Sequence, residues 1–371
     1  MYRVKNHEVF IFIEFFIGKC DEVCLNLAVL LVVETEHGLV AGVGNLLGVL
    51  GELNLRDELA RLFVLHGCKL VDTAGCPEHL PYSVHSAEKY NKRVILLGDD
   101  ANRTVAKEWF DSAKLNLDRY NEFLKVFVNY STYTDFFAEI CFKRYFLYYE
   151  LMRQLDFDRI MVAESDLYNC ADYSSIPSLE SAYAMVSTVS GQDKDYGWSS
   201  CCHCSYWTKA ALDDFLTFCE ETFRDNRELL LEKWNYQKEH NLAGGVCDMT
   251  LVYLWSKDND RVLNSAKVFD GGTIDQNLCD RMNFTENEYK YNSVAGIKKY
   301  VFKKDERGNK QPYLVRTDGT MIRVFAIHCS GRAKSAIKAF DKSYAAVCMS
   351  QMKSQIKIKL GALKGKLLSR A

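Results

Sequence analysis

The stretch Ile160-Met161-Val162-Ala163-Glu164-Ser165-Asp166 decides how the chain reads. An apolar run of strand length stops at two carboxylates one residue apart. In extended backbone, positions i and i+2 point the same way, so Glu164 and Asp166 can face one ion from the strand's exposed end. Hard cations such as Mg²⁺ or Mn²⁺ take oxygen ligands and bridge phosphate oxygens. The plainer reading of such an acidic end is a turn or a helix cap.

Upstream, strand-like and helix-like segments alternate. Lys69–Thr73 reads as a short strand ending in polar residues, broken by Gly75 and Pro77, and Glu78–Tyr90 has helix-like composition. Lys92–Asp100 is a second buried strand with an acidic end, and Thr134–Leu155 is a long aromatic helix leading to the third strand. Alternation of this kind predicts an α/β fold, a mostly parallel sheet with helices on both faces. Ligands of such sheets bind at the carboxyl ends of the strands, where Thr73, Asp99 and Asp166 fall.

Downstream, Val324–Ile327 is another apolar strand, and it runs into His328-Cys329-Ser330-Gly331-Arg332-Ala333-Lys334. A neutral imidazole at position 328 can ligate a divalent metal. Gly331 permits close backbone approach to a phosphate, and Lys334 supplies a point charge for it. Taken singly, the same residues make a structural His, a glycine cap and a surface Lys.

Together the two motifs resemble the retaining GT-A glycosyltransferases of the glycogenin type. The Glu-Ser-Asp end stands where that family has its DxD motif, and His-x-x-Gly-x-x-Lys follows about 160 residues later. The resemblance runs through Lys69–Asp100 and through Arg144 on its helix, and covers roughly residues 68 to 340. It implies metal ligation by Glu164, Asp166 and His328, with Mn²⁺ (or Mg²⁺) as cofactor. It implies a nucleotide-sugar donor, a UDP-sugar foremost, held by Thr73, Asp99, Arg144, Ser165, Gly331 and Lys334. Asp248, after Gly244-Gly245, begins or caps an apolar helix or faces the donor sugar. His203, in Tyr196–His203, reads as core or as part of the sugar pocket. Both are carried over as candidate catalytic residues. Two departures stand out. The family's first acid is normally Asp, and its lysine is usually followed by Pro-Trp rather than Ser335-Ala336.

The implied function is metal-dependent transfer of a sugar to a glycan, protein or lipid-linked acceptor. The alternative is a non-catalytic nucleotide-sugar or glycan-binding protein of the same fold, kept open by Glu164 in place of the family's Asp. A methyltransferase built on Leu96-Leu97-Gly98-Asp99 ranks below both, since Asp72–Cys76 carries only one Gly where that fold wants a Gly-rich turn.

Composition bounds the rest. The chain has 371 residues, 48% hydrophobic, which suffices for one large core or two smaller ones. Lys plus Arg (47) nearly balances Asp plus Glu (49), leaving no global field to steer nucleic acid. The 14 Cys lie mostly in apolar runs, in a long chain without a secretory leader, and this predicts a reducing, cytoplasmic setting. Cys201-Cys202-His203-Cys204 lacks the spacers that a structural zinc site needs. The apolar run Val9–Ile17 falls short of a span of about 20 residues and contains Glu14, so it reads as a buried strand or helix. Residues 1–66 have no Ser, Pro or Trp and read as an N-terminal extension, ahead of a transferase domain over 67–345. Residues 346–371 form a basic tail or helix: Ser350–Arg370 holds six cations and no acid, a solvated face or a weak peripheral contact with an anionic membrane.

Overall fold

The structure, a computed structural model, describes residues 76–305 and 308–368 and, ahead of them, short strands between residues 3 and 73. The chain divides into two units, Met1–Val64 and Leu65–Ala371. In the first, β1 (Arg3–Val4), β2 (His7–Phe12), β3 (Leu30–Thr35) and β4 (Gly38–Val43) pair in sequence as an antiparallel meander. The apolar run from Val9 enters β2 and leaves the described residues after Phe12.

The second unit opens with β5 (His66–Cys68) and β6 (Asp72–Thr73), an antiparallel pair. Residues 69–71 of the strand expected there lie outside the described residues. Helix α1 (Leu80–Tyr90) starts with Pro81 in its first turn, where the missing N–H is harmless. Strands β7 (Ile95–Gly98) and β8 (Glu108–Asp111) follow, then α2 (Asp118–Leu124) and α3 (Asp135–Gln154). Thr134 caps α3, its hydroxyl accepting from Phe137 N at 3.3 Å.

Next come β9 (Arg159–Ala163), β10 (Leu167–Asn169), α4 (Pro177–Ser181), β11 (Ala184–Thr188) and β12 (Ser200–Thr208). Helices α5 (Lys209–Asp225), α6 (Arg227–Glu239) and α7 (Asp248–Ser256) lead to β13 (Val262–Asn264) and β14 (Gly272–Asp275). The small pair β15 (Tyr291–Asn292) and β16 (Ile297–Lys298) precedes β17 (Tyr300–Lys304), β18 (Lys310–Val315) and β19 (Met321–His328). A 3₁₀ segment, Gly331–Ala339, and helix α8 (Tyr344–Leu368) complete the unit.

Two sheets matter for function. One has the order β13-β11-β12-β9; the other runs β10-β19-β18-β17, with β14 also on β19. The chain leaves the first sheet at Ala163 and enters the second at Leu167, so Glu164-Ser165-Asp166 is the corner between them. A mixed α/β architecture is present, but the sheets are not mostly parallel. In the second unit, parallel pairing joins β7 to β8, β11 to β13 and β14 to β19; the other described pairings are antiparallel. The reason lies in the connections. The turns β17–β18 and β18–β19 are too short for a crossover, and β12 runs back between β9 and β11.

An aromatic core fills the space between the first sheet and α3, α5 and α7. Tyr145, Phe146, Trp207, Phe215 and Phe223 are essentially fully buried there, and Trp207 stacks on Trp255 at 5.4 Å. The first turn of α7 is held from two sides. Gly245, at φ +128°, lies so close to Ser131 that an added Cβ would come within 2.4 Å of its Cα. Lys233 is buried and donates to Trp198 O and Thr250 Oγ1, both at 3.0 Å. Among the described residues, no helix is long and apolar enough to cross a membrane.

Burial lowers the Lys233 ammonium from its ordinary 10.5 to about 8. Between those values the folded amine holds fewer protons than the unfolded one, so its contribution to stability rises with pH across that window. Urea unfolding of the wild type and of Lys233→Met, compared from pH 8 to 10.5, should show the wild type gaining on the variant. A difference that stays constant with pH would refute the assignment.

Candidate functional site

At the corner, Leu167 N donates to Glu164 O at 3.0 Å, closing a turn. Glu164 and Asp166 therefore share one side through a turn rather than through extended backbone. Each is then fixed by a different sheet. Glu164 N donates to His203 O at 2.9 Å, continuing the β9–β12 ladder. Leu167 pairs with His328, and Cys329 N donates to Asp166 O at 3.0 Å, so β19 delivers His328 beside Asp166. Helix α1 braces the corner from behind: Ser83 Oγ donates to Leu167 O at 2.7 Å, and Ser86 Oγ accepts from Asn169 N at 2.9 Å.

His328 Nε2 lies 3.3 Å from Glu164 Oε2 and 3.5 Å from Asp166 Oδ1. Two ligands at right angles around an octahedral Mn²⁺ or Mg²⁺, each at about 2.1 Å, stand about 3 Å apart, so the spacing suits one ion. Asp166 is 4% exposed and His328 6%. His328 Nδ1 is 2.7 Å from Gln276 O, and since a carbonyl only accepts, Nδ1 carries the hydrogen. Nε2 is then the ring nitrogen that faces the two carboxylates, an arrangement that fits a cation, and an N–H to a carbonyl is the usual device that orients a metal-binding His. Among the described residues, Glu164, Asp166 and His328 form the group of His, Cys, Asp and Glu side chains whose ligand atoms converge in this way, all within 4.8 Å. Cys201, Cys202, His203 and Cys204 instead lie along β12.

Other residues read from the sequence gather around this group. Lys334 Nζ is 3.4 Å from Asp166 Oδ2. Arg144 bridges two acids, with Nη1 3.6 Å from Glu164 Oε1 and Nη2 paired with Asp248 Oδ2. Tyr145 OH donates to the same Asp248 oxygen at 3.0 Å. Asp248 opens α7 and is 2% exposed; the cap residue is Cys247, so Asp248 begins the helix rather than capping it. His203 is fully buried, its ring stacked on that of His328 at 4.3 Å and 8°. Gly331 has φ +55°, a left-handed conformation that favours glycine, in open space. Formally, three carboxylates face Arg144 and Lys334, an excess of one negative charge. A divalent cation reverses that sign and makes the site attractive to phosphate.

Two expected contributors lie apart from this convergence. Asp99 caps a 3₁₀ turn, its carboxylate accepting from Ala101 N at 2.9 Å. Ser165 Oγ is 3.3 Å from His79 Nε2, on the corner but turned to α1. The side chain of Thr73 lies outside the described residues.

The support of His328 has no counterpart in the sequence reading. Asp275 and Lys298 are fully buried and paired at 2.5 Å; Lys298 also donates to Asn277 O at 2.7 Å and Tyr300 OH to Asp275 Oδ2 at 2.7 Å. These bonds lock the residues on either side of Gln276, whose carbonyl holds His328. Thr273-Ile274-Asp275 carries the same signature as the corner, an apolar strand ending in an acid, and that signal marks the segment.

Removing one partner of a buried ion pair leaves an uncompensated charge and costs about 3–5 kcal/mol, whereas neutral replacement of both is far milder. Asp275→Asn should therefore destabilise strongly in chemical denaturation, and Asp275→Asn with Lys298→Met should recover much of the loss. Additive losses in the double variant would contradict the pairing.

No protein-family model, no curated protein and no solved structure matches the chain at a significant level.

Proposed function

We propose that this chain is a metal-dependent glycosyltransferase that moves a sugar from a nucleotide-sugar donor, a UDP-sugar foremost, onto a glycan, protein or lipid-linked acceptor. The observation that carries the reading is the convergence of Glu164, Asp166 and His328 at the corner between two sheets, with Lys334 3.4 Å from Asp166. The resemblance of these motifs to GT-A enzymes supplies the reaction class.

In this reading the three ligands hold Mn²⁺ or Mg²⁺, which when bound neutralises charge on the departing nucleoside diphosphate. The residues of the chain do the rest. Lys334 exchanges Asp166 for a phosphate oxygen, a charge-assisted contact at the edge of the site. The left-handed turn at Gly331 leaves room for the diphosphate beside it. Arg144 holds Asp248 and Glu164 in fixed relation, so the position of Asp248 toward the donor sugar is tied to that of the ligand. His203, out of reach of solvent, acts as a flat backing that sets the plane of the His328 ring. Burial keeps water from Asp166 and His328, and Glu164, half-buried, forms the open side of the group.

Thermal unfolding with UDP, GDP and CDP, each with Mn²⁺ and with EDTA, tests this. A ligand at about 100 times its dissociation constant stabilises by roughly 2.7 kcal/mol, a shift of a few degrees for a protein of this size. One nucleotide should stabilise with metal and not with EDTA, and Asp166→Asn or His328→Ala should abolish the shift. Stabilisation without slow hydrolysis of the nucleotide sugar would favour the binding protein instead. No shift with any nucleotide would end both readings.

A further inference from the structure

Helix α8 has two faces of different character. As far as Gln355 its inner face packs on the domain: Val347 and Gln351 are fully buried, Ser350 Oγ donates to Ser335 O at 2.9 Å, and Gln355 Nε2 donates to Ala295 O at 2.7 Å; beyond it Ile358, on the same side, is 50% exposed. Its outer face carries Met349, Met352, Ile356 and Leu360, at the i, i+3, i+7 and i+11 spacing that makes one continuous stripe. These four large side chains are 38–60% exposed. Lys353 and Lys357, both exposed, fall about 40° and 80° around the helix from Met349, along one flank of the stripe. After Asp341 the chain contains no acid at all.

We infer that this outer face of α8 docks the protein on a membrane surface containing anionic lipid, lying in the plane of the interface. The charge pattern selects the occupant. A row of Met, Ile and Leu needs an apolar medium, and cations beside it with no acid in the segment need a negatively charged one. The interfacial zone of an anionic bilayer offers both, with the apolar side chains at the acyl boundary and the lysine stems reaching back to the headgroups. Because the stripe is already exposed in the folded protein, docking requires no unfolding of the domain. The inference does not depend on the sugar-transfer reading.

Flotation of the full chain with vesicles tests it. The protein should rise with vesicles containing about a third phosphatidylserine and not with pure phosphatidylcholine, and raised salt should weaken the association. Lys353→Glu with Lys357→Glu, and separately Met349→Ser with Ile356→Ser, should each reduce bound protein about tenfold or more. All four positions are exposed, so circular dichroism and thermal unfolding should match the wild type. Failure of the wild type to bind phosphatidylserine vesicles overturns the inference, as does binding by both variants at wild-type level. Self-association in the absence of lipid, abolished by Ile356→Ser, would assign the stripe to a second copy of the chain and overturn it too.

Discussion

The pairing of Leu167 with His328 is the constraint from which the candidate site follows. The chain has just left one sheet at Ala163 and has three residues in which to reach another. Those three residues are Glu164, Ser165 and Asp166, and each ladder holds one of the two acids. Without β19 alongside β10, Asp166 would sit on an open turn and His328 at a strand end with nothing before it. With it, side chains far apart in sequence stand 3.3–3.5 Å apart with little exposure to solvent.

That closeness is electrostatically demanding. Carboxylates withdrawn from water need partners, and the structure supplies them in a graded way. Arg144 ties Glu164 to Asp248, Lys334 faces Asp166 from the more exposed side, and His328 is held by a carbonyl that is itself part of the turn around Asp275 and Lys298. The buried pair contributes definition of geometry more than net stability, since burying two charges costs nearly what their attraction returns. A turn locked on both sides of Gln276 leaves the imidazole little freedom to rotate.

The sequence made the strand to Ala163, the aromatic helix and the strand to His328 legible because each is a long apolar run with a sharp polar end. The three candidate ligands are legible only in combination, because an acidic strand end and a late His-x-x-Gly-x-x-Lys are each ordinary and match a family pattern only together, and the structure brings the three side chains to one place. The direction of the strands was not legible. Pairing direction depends on which partner lies alongside, and nothing within Ser200–Thr208 announces that it runs back between two other strands. Asp248 was noticed, but not its pairing with Arg144, which joins two helices more than a hundred residues apart. The role of Gln276 had no side-chain signature, since it acts through its backbone carbonyl. For His203 the sequence leaves core and sugar pocket both open, and the structure has it fully buried behind His328.

The layout of the corner has a consequence for how the protein acquires its site during folding. Asp166 and Glu164 emerge early, in a segment whose neighbours β9 and α3 can form locally. His328 comes from the last strand of the second sheet, after the hairpins of β17 and β18, and it must close a loop of about 160 residues to arrive. Contacts of such high sequence separation form slowly and late. A partly folded chain thus presents two acids and Arg144 but no imidazole, and only the finished fold offers the full set. Anything that grips all three side chains favours the completed topology over every intermediate, and so acts as a seal on folding.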